Sequence, residues 1–180
     1  MKIGVVGLGY WGPNLVRNFL GNYEVEKVIA CDKSLSRLKF IKERFPNVDT
    51  TDDLNVVLSS DVNAVAIATP VNTHFSIAKV CIESGKHIWV EKPFTSTSNE
   101  AKELINLSEE KNVKIFVDHT FIYTGAVKKM KELIENDELG QILYFDSVRI
   151  NLGLFQHDVN VIWDLAPHDL SIMHYLIPNN

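Results

Sequence analysis

Two stretches of the chain carry residue types and spacings that do chemistry. The first is GLGYWG, which puts glycines at positions 7, 9 and 12 directly after the apolar run KIGVVGL. In a strand–loop–helix context Gly7 permits a tight turn and Gly9 lets the backbone approach a pyrophosphate. Gly12 lets the following helix pack close to the strand. The helix N-terminus then offers N–H groups and a partial positive charge to the phosphates. Tyr10 and Trp11 sit within the loop, and Trp11 either shields the pyrophosphate or packs. The second stretch is WDLAPHDL, residues 163–170, where Asp164 and His168 stand four apart and share a helix face. An ordinary imidazole titrates near neutral pH, so it can take or release a proton there. Blander roles stay open. Three glycines also make a ligand-free turn, Asp164 also reads as an N-cap, and His168 also reads as a packed histidine between domains.

Asp32 follows Gly7 by 25 positions, at the end of a second apolar run. An acid in that place accepts hydrogen bonds from adenosine ribose hydroxyls and repels a 2′-phosphate. This favours NAD over NADP, softened by the nearby cations Lys33 and Arg37. A turn residue at a strand end is the alternative for Asp32.

These residues need elements to position them, and the periodicity supplies a set. Strands are expected over 2–8, 24–31, 64–69, 87–91 and 114–118. Helices are expected over 13–20, 35–45, 52–58, 73–84 and 99–111. Pro13 is tolerated in a first turn, and Gly85 marks a helix stop. Leu35, Leu38, Ile41 and Phe45 should face inward. Strict alternation means a parallel sheet with helices on both faces, a Rossmann-type doubly wound α/β fold over roughly 1–119. The pattern then changes. A helix over 125–136 turns Val127, Met130, Leu133 and Ile134 inward. QILYFDSVRINLG, 141–153, reads as one long strand, and 164–177 as a helix. Pro167 must lie in a first turn, so that helix starts near Asp164. The chain thus divides into 1–120, a nucleotide-binding domain, and 121–180, the beginning of an α/β domain with an open, mostly antiparallel sheet. That second domain looks unfinished.

The bulk properties narrow the class. The chain has 180 residues, 46% of them hydrophobic and 23% charged, with a net charge of -5. No basic stripe points to nucleic acid. The two cysteines, Cys31 and Cys81, match neither a metal site nor a disulfide framework, and read as buried thiols in a reducing compartment. No signal peptide and no run of about 20 apolar residues is evident, so a cytoplasmic protein without a membrane partner is expected. His87, His119, His157 and His174 form no ligand set, and no zinc pattern, nucleophile elbow or phosphate-loop lysine is present. Trp89 and Trp163 read as core. Asp169 reads as a first-turn acid favoured by the helix dipole. Tyr123 and Arg149 are candidates to face a sugar.

The glycine loop, ATPVNTH (68–74), EKP (91–93) and DLAPH (164–168), in that order, make the chain resemble the Gfo/Idh/MocA oxidoreductases across essentially its whole length. The resemblance implies an NAD(P)-binding Rossmann domain and a C-terminal α/β domain whose open sheet often serves homo-oligomerisation. It implies an enzyme that oxidises or reduces a hydroxyl of a sugar, inositol or nucleotide sugar. Members usually run well beyond this length, so the chain resembles about the first half. The resemblance places Thr69, Pro70, Asn72 and His74 on the nicotinamide side. Glu91 and Lys92 would follow the fifth strand, Lys92 would reach the substrate hydroxyl, and Pro93 is a candidate for a cis bond. Asp164 and His168 match the family's D-x-x-x-H. DHTFIYTG (118–125) departs from the family's usual polar segment, which leaves substrate recognition open.

Hydride transfer from an alcohol carbon requires the hydroxyl proton to leave, so a base must sit within hydrogen-bond reach. An ordinary lysine holds its proton to about pH 10.4, and a lysine base near neutrality costs about 4 kcal/mol. Histidine needs no such perturbation. His168 is therefore read as proton acceptor and Lys92 as hydroxyl anchor and electrostatic stabiliser, and the reverse assignment also fits. The two should converge beside the nicotinamide. Two other functions compete with the dehydrogenase: a non-catalytic dinucleotide-binding fragment, and an NAD-dependent glycosidase of the same family.

Overall fold

The structure, a computed structural model, describes residues 1–150 and 160–177. The chain forms two compact units, Met1–Val117 and Asp118–Asn180.

In the first unit, strand and helix alternate: β1 Lys2–Val6, α1 Gly12–Leu20, β2 Lys27–Cys31, α2 Leu35–Arg44, β3 Asp49–Thr51, α3 Leu54–Ser59, β4 Ala64–Ile67, α4 His74–Glu83, β5 His87–Val90, α5 Ser98–Glu110 and β6 Ile115–Val117. The strands form one six-stranded sheet in the order β3-β2-β1-β4-β5-β6, with every neighbour parallel. The order reverses beside β1, and ligands of doubly wound sheets bind at such a switch point, beyond the carboxyl ends of the strands.

Apart from the edge strand β3, the short strands are mostly apolar because both faces are covered. Their side chains alternate. Ile3, Val5, Val28, Ala30 and Ala66 join Leu15 and Val16 of α1 and Leu38 and Ile41 of α2 in one core. Val6, Ile29, Cys31, Val65 and Ile67 join Val57, Ala78, Cys81, Ile82 and Leu104 from α3, α4 and α5 in the other. Each such fully buried aliphatic side chain contributes about 1.5–3 kcal/mol. Local signals set the helix ends. Pro13 lies in the first turn of α1, and Asp53 caps α3 by accepting the Asn55 N–H at 2.9 Å. Thr97 and Glu100 close a capping box on α5. Gly85, at φ +71, ends α4, with its N–H bonded to the Ile82 carbonyl at 2.9 Å.

Two details of this unit differ from expectation. Leu35 is 71% exposed, because α2 lays only Leu38 and Ile41 fully onto the sheet. β3 was not anticipated, since a three-residue edge strand reading DTT carries no apolar run.

The second unit contains the 3-10 turn Thr120–Tyr123, α6 Gly125–Glu135 and α7 Val161–Leu176. α6 buries Val127, half-buries Leu133 and Ile134, and leaves Met130 exposed, contrary to expectation. The long strand expected over 141–153 is not formed in its described part, 141–150. A strand needs neighbours for its backbone groups, and among the described residues of this unit there is no other strand. Residues 151–153, and His157, lie outside the described residues. α7 starts before Asp164. Asn160 is its cap, accepting the Trp163 N–H at 2.9 Å, and Pro167 lies inside the helix rather than in its first turn. The cap four residues upstream of Asp164 decides the start, and Pro167 forgoes one intrahelical hydrogen bond. Trp163, expected in a core, is 38% exposed.

Among the described residues, no helix is long and apolar enough to cross a membrane, and no group of three His, Cys, Asp or Glu is placed to hold a metal ion.

Candidate functional site

The glycine loop joins β1 to α1. Gly7 sits at φ +92, a region that L side chains rarely adopt, and a Cβ there would lie 2.7 Å from the Ala68 carbonyl group and 2.8 Å from Cγ2 of Thr69. A Cβ on Gly12 would come 2.2 Å from the Gly7 carbonyl oxygen, so only glycine lets the helix start this close to the strand end. A Cβ on Gly9 would meet nothing within 4 Å, so the loop's outer side is open to an approaching group. The three glycines thus take the three roles that a pyrophosphate-binding turn requires. Tyr10 and Trp11 are exposed and meet edge to face, with centroids 5.3 Å apart.

Asp32, just beyond β2, is buried, and its carboxylate is well supplied with donors. Oδ2 accepts the Leu8 N–H at 2.7 Å, and Oδ1 accepts the Ser34 N–H at 2.8 Å. Nη1 of Arg37 lies 3.3 Å from Oδ2, on a side chain that is 55% exposed. The acid and the glycine loop therefore form one hydrogen-bonded piece. Burial first, and then the Asp32 charge, push the neighbouring Cys31 thiol up to about 11, so it stays protonated near neutral pH. Cys31 and Cys81 are both free and buried.

The turn after β4 holds Thr69, Pro70 and the 3-10 segment Val71–Thr73, with Pro70 and Asn72 exposed and Thr69 half-buried. His74 opens α4 with its ring 1% exposed. Nε2 lies 2.8 Å from the Thr69 carbonyl and Nδ1 3.0 Å from the Pro93 carbonyl. It therefore lies beneath the turns rather than on the edge where the resemblance places it. After β5, Glu91 continues the ladder by donating its N–H to the Ile67 carbonyl at 3.0 Å, and Lys92 follows, both half-buried. The Lys92–Pro93 bond is cis. Gly7–Gly12, Asp32, Thr69 and Lys92 thus all follow the carboxyl ends of β1, β2, β4 and β5, which are adjacent strands of the sheet.

In the second unit, Asp164 is half-buried and His168 buried, both on α7 and four residues apart. Phe121 meets the His168 ring edge to face at 4.7 Å. Asp169 is not a first-turn acid but the partner of Arg149. Two bonds of 2.9 and 3.0 Å join them, and Ser147 Oγ donates to the same carboxylate at 2.8 Å. The Arg149 guanidinium also lies 4.8 Å from the Phe121 ring centroid. Arg149 and Ser147 hold the Asp169 carboxyl below the usual carboxylate range. Arg149, a candidate for sugar contact, is thus committed to Asp169 and Phe121, while Tyr123 is exposed.

The sequence did not disclose the Leu8–Asp32 bond, the two carbonyls facing His74, or the Arg149–Asp169 pair. The Leu8–Asp32, His74–Pro93 and Arg149–Asp169 contacts join residues 24, 19 and 20 positions apart, beyond the reach of any local pattern.

Comparisons with known proteins agree with this fold. Residues 1–119 match the Gfo/Idh/MocA oxidoreductase family, NAD-binding Rossmann fold. The UDP-N-acetylglucosamine 3-dehydrogenase of Acidithiobacillus ferrooxidans is 29% identical, over 96% of this chain and 53% of that protein. The scyllo-inositol 2-dehydrogenase (NADP(+)) of Bacillus subtilis is 26% identical, over 91% and 44%. The crystal structure of GenD2 from gentamicin A biosynthesis, in complex with NAD, superimposes with a TM-score of 0.85 over 99% of this chain and 54% of that one. At 22% identity this likeness shows the fold alone. The chain spans about half the length of the curated relatives it matches. With a matched profile over most of its length and a glycine loop, acid and sheet edge to suit, the chain belongs to the Gfo/Idh/MocA family of oxidoreductases, with its NAD-binding Rossmann fold.

Proposed function

We propose that the chain is the NAD-binding domain and part of the substrate domain of a dehydrogenase. It would transfer hydride between a nicotinamide cofactor and a hydroxyl of a sugar, inositol or nucleotide sugar. The observation that carries this reading is the glycine loop. Gly7 and Gly12 are packed backbone against backbone, Gly9 faces open space, and Asp32 is bonded into the same loop. Asp32 would hold the adenosine ribose, Gly9–Gly12 the pyrophosphate, and Thr69 and Lys92 would stand at the nicotinamide. NAD is favoured over NADP because the Asp32 carboxylate repels a 2′-phosphate and already engages the nearby cation Arg37.

When bound, the nicotinamide supplies the hydride acceptor. Lys92 anchors the substrate hydroxyl and stabilises negative charge developing on its oxygen. His168 takes the hydroxyl proton, and Asp164 shares its helix face. Glu91, Asn72 and Pro70 line the cofactor's edge with Thr69. Residues 121–180 belong to the substrate and oligomerisation domain. Leu143, Tyr144, Val148 and Ile150 expose apolar side chains there, the kind of surface that a second subunit covers. Two free, buried thiols support a reducing compartment, the cytoplasm.

Titration calorimetry with NAD and NADP tests the cofactor, and turnover against a panel of sugars, inositols and nucleotide sugars tests the reaction. NAD should bind more tightly than NADP, and NADH should accumulate with a member of the panel. No heat with either nucleotide from folded protein removes the cofactor reading. Binding without NADH formation removes the dehydrogenase.

A further inference from the structure

The turns after β4 and β5 carry Thr69 and Lys92, and the ring of His74 bridges them. Its Nε2 lies 2.8 Å from the carbonyl oxygen of Thr69 and its Nδ1 3.0 Å from that of Pro93, with 1% of the residue exposed. Both partners are carbonyl oxygens, so the ring ties them through N–H donors, one in the neutral ring and two in the protonated ring. Water cannot take over these contacts at so buried a place. The Thr69 turn is also tied within itself, because the Thr73 hydroxyl lies 2.7 Å from both the Thr69 hydroxyl and the Pro70 carbonyl. On its other side this turn abuts the glycine loop, with Thr69 Cγ2 2.8 Å from where a Cβ on Gly7 would stand. Gly7, Thr69, His74 and Pro93 thus form one contiguous path from the phosphate turn to the residue next to Lys92.

We propose that His74 is a positioning residue, whose ring fixes the Lys92–Pro93 turn against the Thr69 turn and so preforms the wall that receives the nicotinamide half of the cofactor. The adenosine half, held at Asp32, does not depend on this tie. The inference rests on the NAD-binding reading above and adds to it how the reactive end of the site is built. Preformed geometry at the reacting end lowers the ordering that binding must otherwise impose.

Calorimetry on His74→Phe and His74→Gln, with NAD and with ADP-ribose, which lacks nicotinamide, tests it. Wild type should bind NAD more tightly than ADP-ribose. His74→Phe fills the space without donors and should weaken NAD about tenfold while changing ADP-ribose less than about twofold. This difference corresponds to about 1.4 kcal/mol or less lost at the nicotinamide end alone. His74→Gln, whose amide N–H groups can still donate to one of the two carbonyls, should fall between. Equal weakening of both ligands, weakening of neither, or equal wild-type affinity for the two overturns the proposal. Should His74→Phe fail to fold, His74→Gln decides by the same ratio. A folded wild type that binds neither ligand removes the NAD reading itself. One that binds both, with an unchanged ratio in the variants, removes only the role of His74.

Discussion

Oδ2 of Asp32 accepts the backbone N–H of Leu8 at 2.7 Å, so the acid at the end of β2 is built into the glycine loop that it faces. The acid read from the sequence as a ribose partner or a strand-end turn residue thus also shapes the glycine loop.

Asp32→Ala removes both effects. NAD affinity should fall at least about tenfold, or ~1.4 kcal/mol, through loss of the ribose contact and loosening of the Leu8 N–H. NADP should lose less, since the repulsion of its 2′-phosphate goes too, and the NAD/NADP ratio should drop. Calorimetry with both nucleotides measures this. Unchanged affinity for both would take Asp32 out of the cofactor site.

Gly9→Ala and Gly12→Ala should separate binding from folding. The Gly9 Cβ enters open space, so thermal stability should hold while NAD affinity falls, because the methyl occupies the phosphate's approach. The Gly12 Cβ would meet the Gly7 carbonyl oxygen at 2.2 Å, which forces the loop and α1 apart at about 1–3 kcal/mol. Its melting temperature should drop. Thermal melts and calorimetry on the two variants check this. A Gly9→Ala protein that binds NAD as wild type does would show that no phosphate approaches there.

The Arg149–Asp169 pair should be sensitive to acid. Asp169 has a folded-state pKa held below its ordinary 3.8, chiefly by the Arg149 hydrogen bond. Its contribution is therefore full above the unfolded value and is lost as pH falls through the folded one. Asp169→Asn should cost about 1 kcal/mol near neutrality, as a partly exposed ion pair does, and should remove this part of the acid dependence. The difference in urea stability between wild type and variant, followed from pH 7 to pH 2, should shrink. A difference that does not change with pH would mean that the pair contributes no charge-dependent stability.

The sequence alone determined the elements whose signals are local. Short uninterrupted apolar runs marked five of the strands in the six-stranded sheet, and helical spacing marked the helices between them. Glycines at 7, 9 and 12, Asp32 and Gly85 were legible because each answers to its immediate neighbours: a tight turn, a strand end, a left-handed helix stop. The tertiary structure decided whatever depends on distant partners. β3 exists because β2 offers it a ladder, not because DTT favours a strand. α7 begins at Val161 and passes through Pro167 because Asn160 caps it, whereas the local reading began the helix at Asp164. Residues 141–150 have strand-like composition, but a strand is a paired object, and composition supplies no pair. The same holds for the candidate site. His74 was visible as a residue type in a motif, but its place between the carbonyls of Thr69 and Pro93 follows from β4 and β5 lying side by side. Local propensity specifies elements, and hydrogen bonds across 19 to 24 positions specify how those elements are tied together.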